Sequence, residues 1–369
     1  EYRRQRQMCI RDSHTRLSFL IFSDSINVII FIKKFFHDSK GDFMTISKGT
    51  TIQQIAELAN VSTATASRVI NQPETVKPET LRRVLQVMKE LNYQPKQNIT
   101  RLLLATFPNF TNPFYSLCIR GMQEAARKRN YKIYLQQIDD PTKTESYDFL
   151  LDNHLFHGII FTHPLPDKQL LDLILIKHPV VMCSQYSISD DVPCVVIDDY
   201  AAAQNAVSYL ISIGKKRIAL MNSQQDYSCS LYRENGYLAT LKEAGLPVYP
   251  EFITHVNDVD YSLALSAALN MLSGKVRPDA VFCISDVFAS AVIKAAGQLG
   301  LSVPEDVAVM GFDNVALCNM TIPTISTVSQ PMYQLGWQSS NLLIDQLEGI
   351  PVVSKRIVLN TDIIVRKST

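Results

Sequence analysis

The chain has 369 residues, 46% of them hydrophobic, and a formal net charge of +1. That length and apolar content leave room for two or three domains with substantial cores, and the near-zero charge advertises no global field for a polyanion. Seven cysteines without any C-x-x-C spacing lack the ligand pattern of a zinc site and fit a reducing cytoplasm better than a disulfide scaffold, so neither metal nor cofactor is expected.

Residues 1–43 stand apart from the rest. Leu17–Phe36 is apolar enough for a membrane helix but is interrupted by Asp24 and Asn27. Five arginines precede it (Arg3, Arg4, Arg6, Arg11 and Arg16), a bias that would carry everything downstream across a membrane. The KKFFHDSKGDF that follows has no small-residue cleavage site for an exported protein. The opening EYRRQRQMCIRDS resembles a translated sequencing adapter, and Met44 offers a natural start. Residues 1–43 are therefore expected to be a spurious extension or a disordered one, and no membrane partner is expected.

From Thr51 the pattern becomes helical. Ile52, Ile55 and Leu58 share one face of a first helix, Asn60 suits a left-handed turn, and Ser62 is a good N-cap for a second helix with Val61, Val69 and Ile70 inward. The outward face of that second helix is Thr63, Ala64, Ser67 and Arg68, small and polar enough to enter a major groove about 12 Å wide. A third helix is expected over Pro78–Asn92, with Leu81, Val84, Leu85, Met88 and Leu91 on one side. Residues 44–94 thus read as a three-helix, helix-turn-helix DNA-binding domain. Seven Lys/Arg against four Glu over 44–100 give this part a local charge of +3.

The run I-x-x-I-A-x-x-A-x-V-S-x-x-T-x-S-R-V-I-N over Ile52–Asn71 resembles the lac/Gal repressor family, and the resemblance extends to the C-terminus. It implies that Thr63, Ala64 and Arg68 face base edges, and that Thr51, Ser62, Thr65, Ser67 and Asn71 face phosphates. The chemistry agrees. Arginine can donate two bonds to a guanine edge, whereas Ala64 offers only a methyl contact, so direct readout should be thin. Family members usually carry a longer connector with an A-R-x-L hinge segment. Here Tyr93-Gln94-Pro95 is followed only by KQNITR, a short linker at 95–101 without that motif, and no ordinary hinge helix is expected. A flexible tether or a second DNA-binding protein as partner would compensate.

Residues 102–369 alternate apolar strands with helices: strands at 102–107, 131–137, 158–162, 180–184, 218–222, 252–256, 280–284 and 307–312, and helices between them. Buried strands alternating with helices indicate an α/β fold with parallel sheets, and about ten strands divide best into two lobes. The segments NPF (112–114), VVIDDYAAA (195–203), G-x-x-R-I (214–218), VPEDVAVMGFDN (303–314) and TISTVSQP (324–331) resemble the periplasmic-binding-protein-like core of the same repressor family. That implies an effector-binding and dimerisation core, with an N-lobe of about 101–196 plus 330–350 and a C-lobe of about 197–326 plus 354–366.

Ligands of such folds bind at the carboxyl ends of the strands. The resemblance places Phe114, Ser184, Arg233, Ser285, Asp313 and Gln330 in that cleft, with Arg233 gripping a hydroxyl or carboxylate, Asp313 accepting and Phe114 stacking. Asp286 reads instead as a helix N-cap, and His154, His157 and His163 as loop surface. The resemblance leans toward nucleoside-responsive members, so a nucleoside such as cytidine is the favoured effector, with a sugar or purine as the alternative. A cytoplasmic homodimer on double-stranded operator DNA is implied. A solute-binding receptor would share the core but lacks a use for the helix-turn-helix. No G-x-S-x-G, H-E-x-x-H or P-loop supports an enzyme.

Overall fold

The computed structural model describes residues 51–91, 93, 101–138, 140–151, 155–165, 167–187, 189 and 192–369. The expectations for residues 1–43 and for the linker before Arg101 lie outside them. The chain divides into two compact units, one ending at Ile99 and one beginning at Thr100.

Among the described residues the first unit holds three α-helices, α1 (Ile52–Leu58), α2 (Thr63–Asn71) and α3 (Pro78–Glu90). Thr51 opens α1 with a capping box: its side chain accepts from the Gln54 backbone N–H while the Gln54 side chain accepts from the Thr51 N–H. Asn60 turns the chain at φ 51°, and Ser62 caps α2 by accepting from the Thr65 N–H. Ile55, Ala59, Val69, Leu81, Val84, Leu85 and Met88 form the core between the helices. Leu58 departs from its expected inward place and is 63% exposed. α1 ends there, and Ala56 and Ala59, each one position after Ile55 and Leu58, are buried. A leucine at Ala59 would hold α1 off its neighbours, so the small residues set how closely α1 packs.

The second unit contains two parallel-sheet lobes. In the first, β1 (Arg101–Phe107), β2 (Tyr131–Gln137), β3 (Gly158–Phe161), β4 (Val180–Cys183), β5 (Cys194–Ile197) and β11 (Arg356–Leu359) lie in the order β11-β5-β4-β3-β1-β2. In the second, β6 (Ile218–Ser223), β7 (Ile253–Val256), β8 (Ala280–Cys283), β9 (Ala308–Asp313), β10 (Ser326–Ser329) and β12 (Asp362–Ile364) run β12-β10-β9-β8-β6-β7, with β12 antiparallel to β10. Their central strands are buried along their whole length, as continuous apolar runs demand. The helices are α4 (Phe114–Lys128), a short α5 (Asp148–Leu151), α6 (Lys168–Lys177), α7 (Asp199–Ser212), α8 (Ser228–Glu243), α9 (Tyr261–Leu272), α10 (Asp286–Gln298) and α11 (Met332–Leu347).

The chain passes between the lobes three times, after β5, after β10 and after β11. The last crossing corrects the expected boundary. Residues 354–366 do not all belong to the C-lobe: β11 pairs with β5 in the first sheet, and only β12 joins the second. Alternation of apolar residues says that a segment is a strand but not which of two sheet edges it completes. In the first lobe α4 and α11 approach so closely that a Cβ on Gly121 would collide with the Tyr333 carbonyl, and one on Gly336 with the Cys118 carbonyl. Glycine is needed at both because backbone meets backbone.

Candidate functional site

In the helix-turn-helix unit, Thr63, Ala64 and Arg68 are all exposed along α2. Ala66 and Val69, on its other face, are buried. The residues expected against phosphates have a different local chemistry. Thr51 and Ser62 are exposed cap residues whose hydroxyls already accept backbone N–H groups, and the Ser62 Oγ lies 2.8 Å from the Thr65 Oγ1. Thr65 and Ser67 are half-buried, and the Asn71 side chain lies outside the described residues. Caps of this kind point free N–H groups of a helix start outward, where an anion is favoured. The arrangement can present one arginine and a methyl-sized neighbour to a groove with polar groups around them.

In the second unit a cleft with a cavity volume of about 70 Å³ opens between the lobes. All six residues expected there line it: Phe114, Ser184, Arg233, Ser285, Asp313 and Gln330. They arrive from the carboxyl ends of β4, β8, β9 and β10, from the first turn of α4 and from the second turn of α8, which is where an open parallel sheet leaves room for a ligand. Ser184, Asp258 and Asp313, all on the cleft wall, hold positive φ of 60°, 64° and 113°. Such backbone is costly for residues with side chains and collects at functional sites.

Arg233 is buried and paired. Its Nε donates to the Asp199 Oδ1 at 2.8 Å, its Nη2 lies 2.8 Å from the same oxygen, and its Nη1 donates to the Ile284 carbonyl at 2.7 Å. The guanidinium sits 3.6 Å from the centre of the Phe312 ring. Burial opposes the charge on Arg233, and Asp199 with its other acidic neighbours more than restores it. Burial pushes the Asp199 carboxyl up, and Arg233 pulls it back. The sequence pattern had included Asp199 in VVIDDYAAA without a role. The signal was available in principle, because an arginine buried in a cleft needs a carboxylate partner.

Asp313 is buried, makes no ion pair among the described residues though the Arg233 charge pulls its carboxyl down somewhat, and accepts from the Gln330 Nε2 at 2.7 Å. Burial holds its carboxyl well above the ordinary range, and the neighbouring Asp286 adds to the effect. The Gln330 Oε1 is left buried without a hydrogen-bond partner. Asp286 is not the expected cap. Ser285 caps α10 by accepting from the Phe288 N–H, and Asp286 turns inward to accept from the Val315 N–H and the Thr327 hydroxyl. Adjacent Ser and Asp both suit an N-cap, and the one-residue choice is fixed by burial. Ser285 therefore lines the cleft with its hydroxyl already accepting one bond.

Two further pairs were not visible in sequence. Asn109, beyond β1, donates to Asp258, beyond β7, at 3.0 Å, and Gln185, beyond β4, accepts from the Ser228 hydroxyl at 2.7 Å. Both pairs join the lobes across the cleft. His163 also departs from expectation. It is buried rather than on the surface, with Nε2 3.0 Å from the Thr106 Oγ1 and Nδ1 3.0 Å from the Pro164 carbonyl. Burial lowers its pKa to about 4. Among the described residues no group of His, Cys, Asp and Glu is placed to hold a metal, and no helix is long and apolar enough to cross a membrane.

Known proteins carry the same two parts in the same order. Residues 51–96 match the family of bacterial regulatory proteins, lacI family, and residues 100–359 match periplasmic binding proteins and sugar binding domain of LacI family. The HTH-type transcriptional repressor CytR of Escherichia coli strain K12 is 31% identical over 328 residues, covering 86% of this chain and 96% of its own length. The ribose operon repressor of Halalkalibacterium halodurans is 32% identical over 332 residues, 87% of this chain and 97% of its own. Among solved structures, the transcriptional regulator CelR in complex with cellobiose matches at a TM-score of 0.67 and 28% identity, over 87% of this chain and 100% of that one. With both parts matched and the relatives covered nearly end to end, the chain belongs to the lacI family of bacterial regulatory proteins and is a DNA-binding transcriptional repressor with an effector-binding domain.

Proposed function

We propose that this repressor binds an inverted-repeat operator as a cytoplasmic homodimer and is controlled by a nucleoside, cytidine being the first candidate, held in the interlobe cleft. Thr63, Ala64 and Arg68 read base edges, and Thr51, Ser62, Thr65, Ser67 and Asn71 hold phosphates. Phe114, Ser184, Arg233, Ser285, Asp313 and Gln330 contact the effector. The observation that carries the effector reading is the convergence of these six on one cleft whose wall also includes the rings of Tyr115 and Tyr227. Rings offer a face to a base, while Asp313 and Gln330 offer acceptors to ribose hydroxyls or an exocyclic amine.

A sugar is the second reading, favoured by the names of two matched proteins, a ribose operon repressor and a regulator bound to cellobiose. In either case the effector acts by preferring one lobe arrangement, and a coupling of about 1–3 kcal/mol to operator affinity is typical. Thermal unfolding with cytidine, other nucleosides, purine bases and sugars tests this. A true effector at a hundredfold excess over its Kd stabilises the fold by about 2.7 kcal/mol. A selective rise with cytidine supports the nucleoside reading, and a rise with ribose or cellobiose alone replaces it with the sugar.

A further inference from the structure

We infer that the cleft admits only uncharged, hydrogen-donating ligands and rejects phosphate esters and carboxylates. The inference rests on the effector reading above and narrows it: nucleosides and free sugars qualify, nucleotides and sugar phosphates do not.

Among the described residues lining the cleft and its outer mouth, Arg233 is the one cation. It is already matched by Asp199, with two of its nitrogens on one carboxylate oxygen and a third on a carbonyl. Against that closed pair stand Asp313 in the cleft and Asp258, Asp226 and Asp140 toward the mouth. Lys143, beside the mouth, is itself paired with Asp140 at 3.0 Å. Even with Asp313 neutral the lining has no cation left for an incoming anion. An anion stripped of water without a partner is strongly disfavoured, and one near carboxylates more so.

The unpartnered Gln330 Oε1 points the same way. It is a buried acceptor beside the Asp313 carboxyl, whose Oδ1 already takes the Gln330 Nε2. A ligand O–H or N–H placed there gives it the hydrogen bond it lacks, whereas a phosphate or carboxylate oxygen would meet it acceptor to acceptor. Arg233 thus shapes and polarises the wall through its remaining N–H groups, and the expectation that it grips a carboxylate gives way to a hydroxyl or carbonyl.

The test uses the full chain, with unfolding of the core followed through Trp337, the single tryptophan, so that phosphate held by the DNA-binding unit does not enter the signal. Matched pairs are titrated at constant ionic strength: cytidine with cytidine 5′-monophosphate, ribose with ribose 5-phosphate, and inorganic phosphate against chloride. Each ester is expected to bind about 100-fold or more weakly than its uncharged partner, and inorganic phosphate to leave the core unshifted. Asp199→Asn frees the guanidinium and should create phosphate-dependent stabilisation. Gln330→Lys, which leaves the Arg233 pair intact, should do the same if Asp199→Asn does not fold. An ester binding as well as its parent compound, or inorganic phosphate stabilising the unaltered chain, overturns the exclusion. If neither cytidine nor ribose binds, the effector reading is what fails, and the inorganic phosphate measurement still decides the exclusion.

Discussion

The outward face of α2 and the wall of the cleft are built by opposite means. Thr63, Ala64 and Arg68 lie within six residues of one helix, exposed, over a small core that none of them enters. The cleft residues come from strand ends spread between Phe114 and Gln330, and Arg233, Ser285, Asp313 and Gln330 are each at most 5% exposed. On α2, recognition and stability are separable. In the cleft the side chains proposed to contact the effector are also buried in the fold, so every substitution there has to be read for stability first.

The sharpest way to break this contrast is Asp199→Ala. It removes the carboxylate partner of Arg233 and leaves the buried guanidinium on the Ile284 carbonyl and the Phe312 ring, so a loss of about 3–5 kcal/mol is expected in urea unfolding. A loss under about 1 kcal/mol would mean that the cleft is no more embedded in the fold than the face of α2. Arg233→Ala strands Asp199 in the same way, and its effector response is interpretable only where the variant remains folded.

The second test is one of pH. His163 follows Thr162, which lines the cleft, and its pKa falls from 6.5 to about 4 on folding. Between those values the unfolded chain binds the proton that the folded chain refuses. The stability due to neutral His163 is complete above about 6.5 and is lost as the pH falls toward 4, about 3 kcal/mol in all. The buried Asp199, Asp286 and Asp313 carry raised values and act in the opposite sense, contributing most at low pH and less as the pH rises through their folded pKa. Urea midpoints of the parent chain and His163→Asn, compared from pH 4 to 7, cancel those carboxyls. The parent should lose stability more steeply on acidification, and parallel curves would show that His163 is not held neutral by the core.

This contrast also explains what could be read from the chain alone. The helix-turn-helix was legible because its signals are local: Ser62 caps three residues ahead, Asn60 turns in place, and the apolar positions repeat within one helix. The alternation of strands and helices was legible for the same reason. Leu58 was misplaced because a periodic stripe does not say where a helix ends. The partners of the cleft were hidden by distance along the chain: Asp199 and Arg233 are 34 residues apart, and Asn109 and Asp258 are 149 apart. Only the folded sheets bring them together, and the assignment of β11 to the first sheet has the same cause.

The core's tight packing gives the third prediction. Gly336→Ala would drive a Cβ into the Cys118 carbonyl where α11 crosses α4. Backbone cannot yield as a side chain would, and a cost of about 1–3 kcal/mol is expected. An alanine tolerated within about 0.5 kcal/mol would mean that the two helices can slide apart, and the first lobe would then be softer than its buried strands imply.

The smallest effect on stability belongs to Arg68→Ala, and it is the counterpart of Asp199→Ala. Arg68 is exposed and outside the core of its unit, so the unfolding midpoint should stay within about 0.5 kcal/mol of the parent. Operator affinity should nevertheless fall by about 1–3 kcal/mol per half-site, since one arginine able to pair with a guanine edge is flanked by an alanine that can offer only a methyl group. The loss should be larger on the specific operator than on random duplex, because a base-edge contact adds discrimination while a phosphate contact adds affinity to any sequence. Equal losses on both DNAs would move Arg68 from base reading to phosphate holding. A specific loss with an unchanged midpoint would leave the two regions as distinct as their burial makes them.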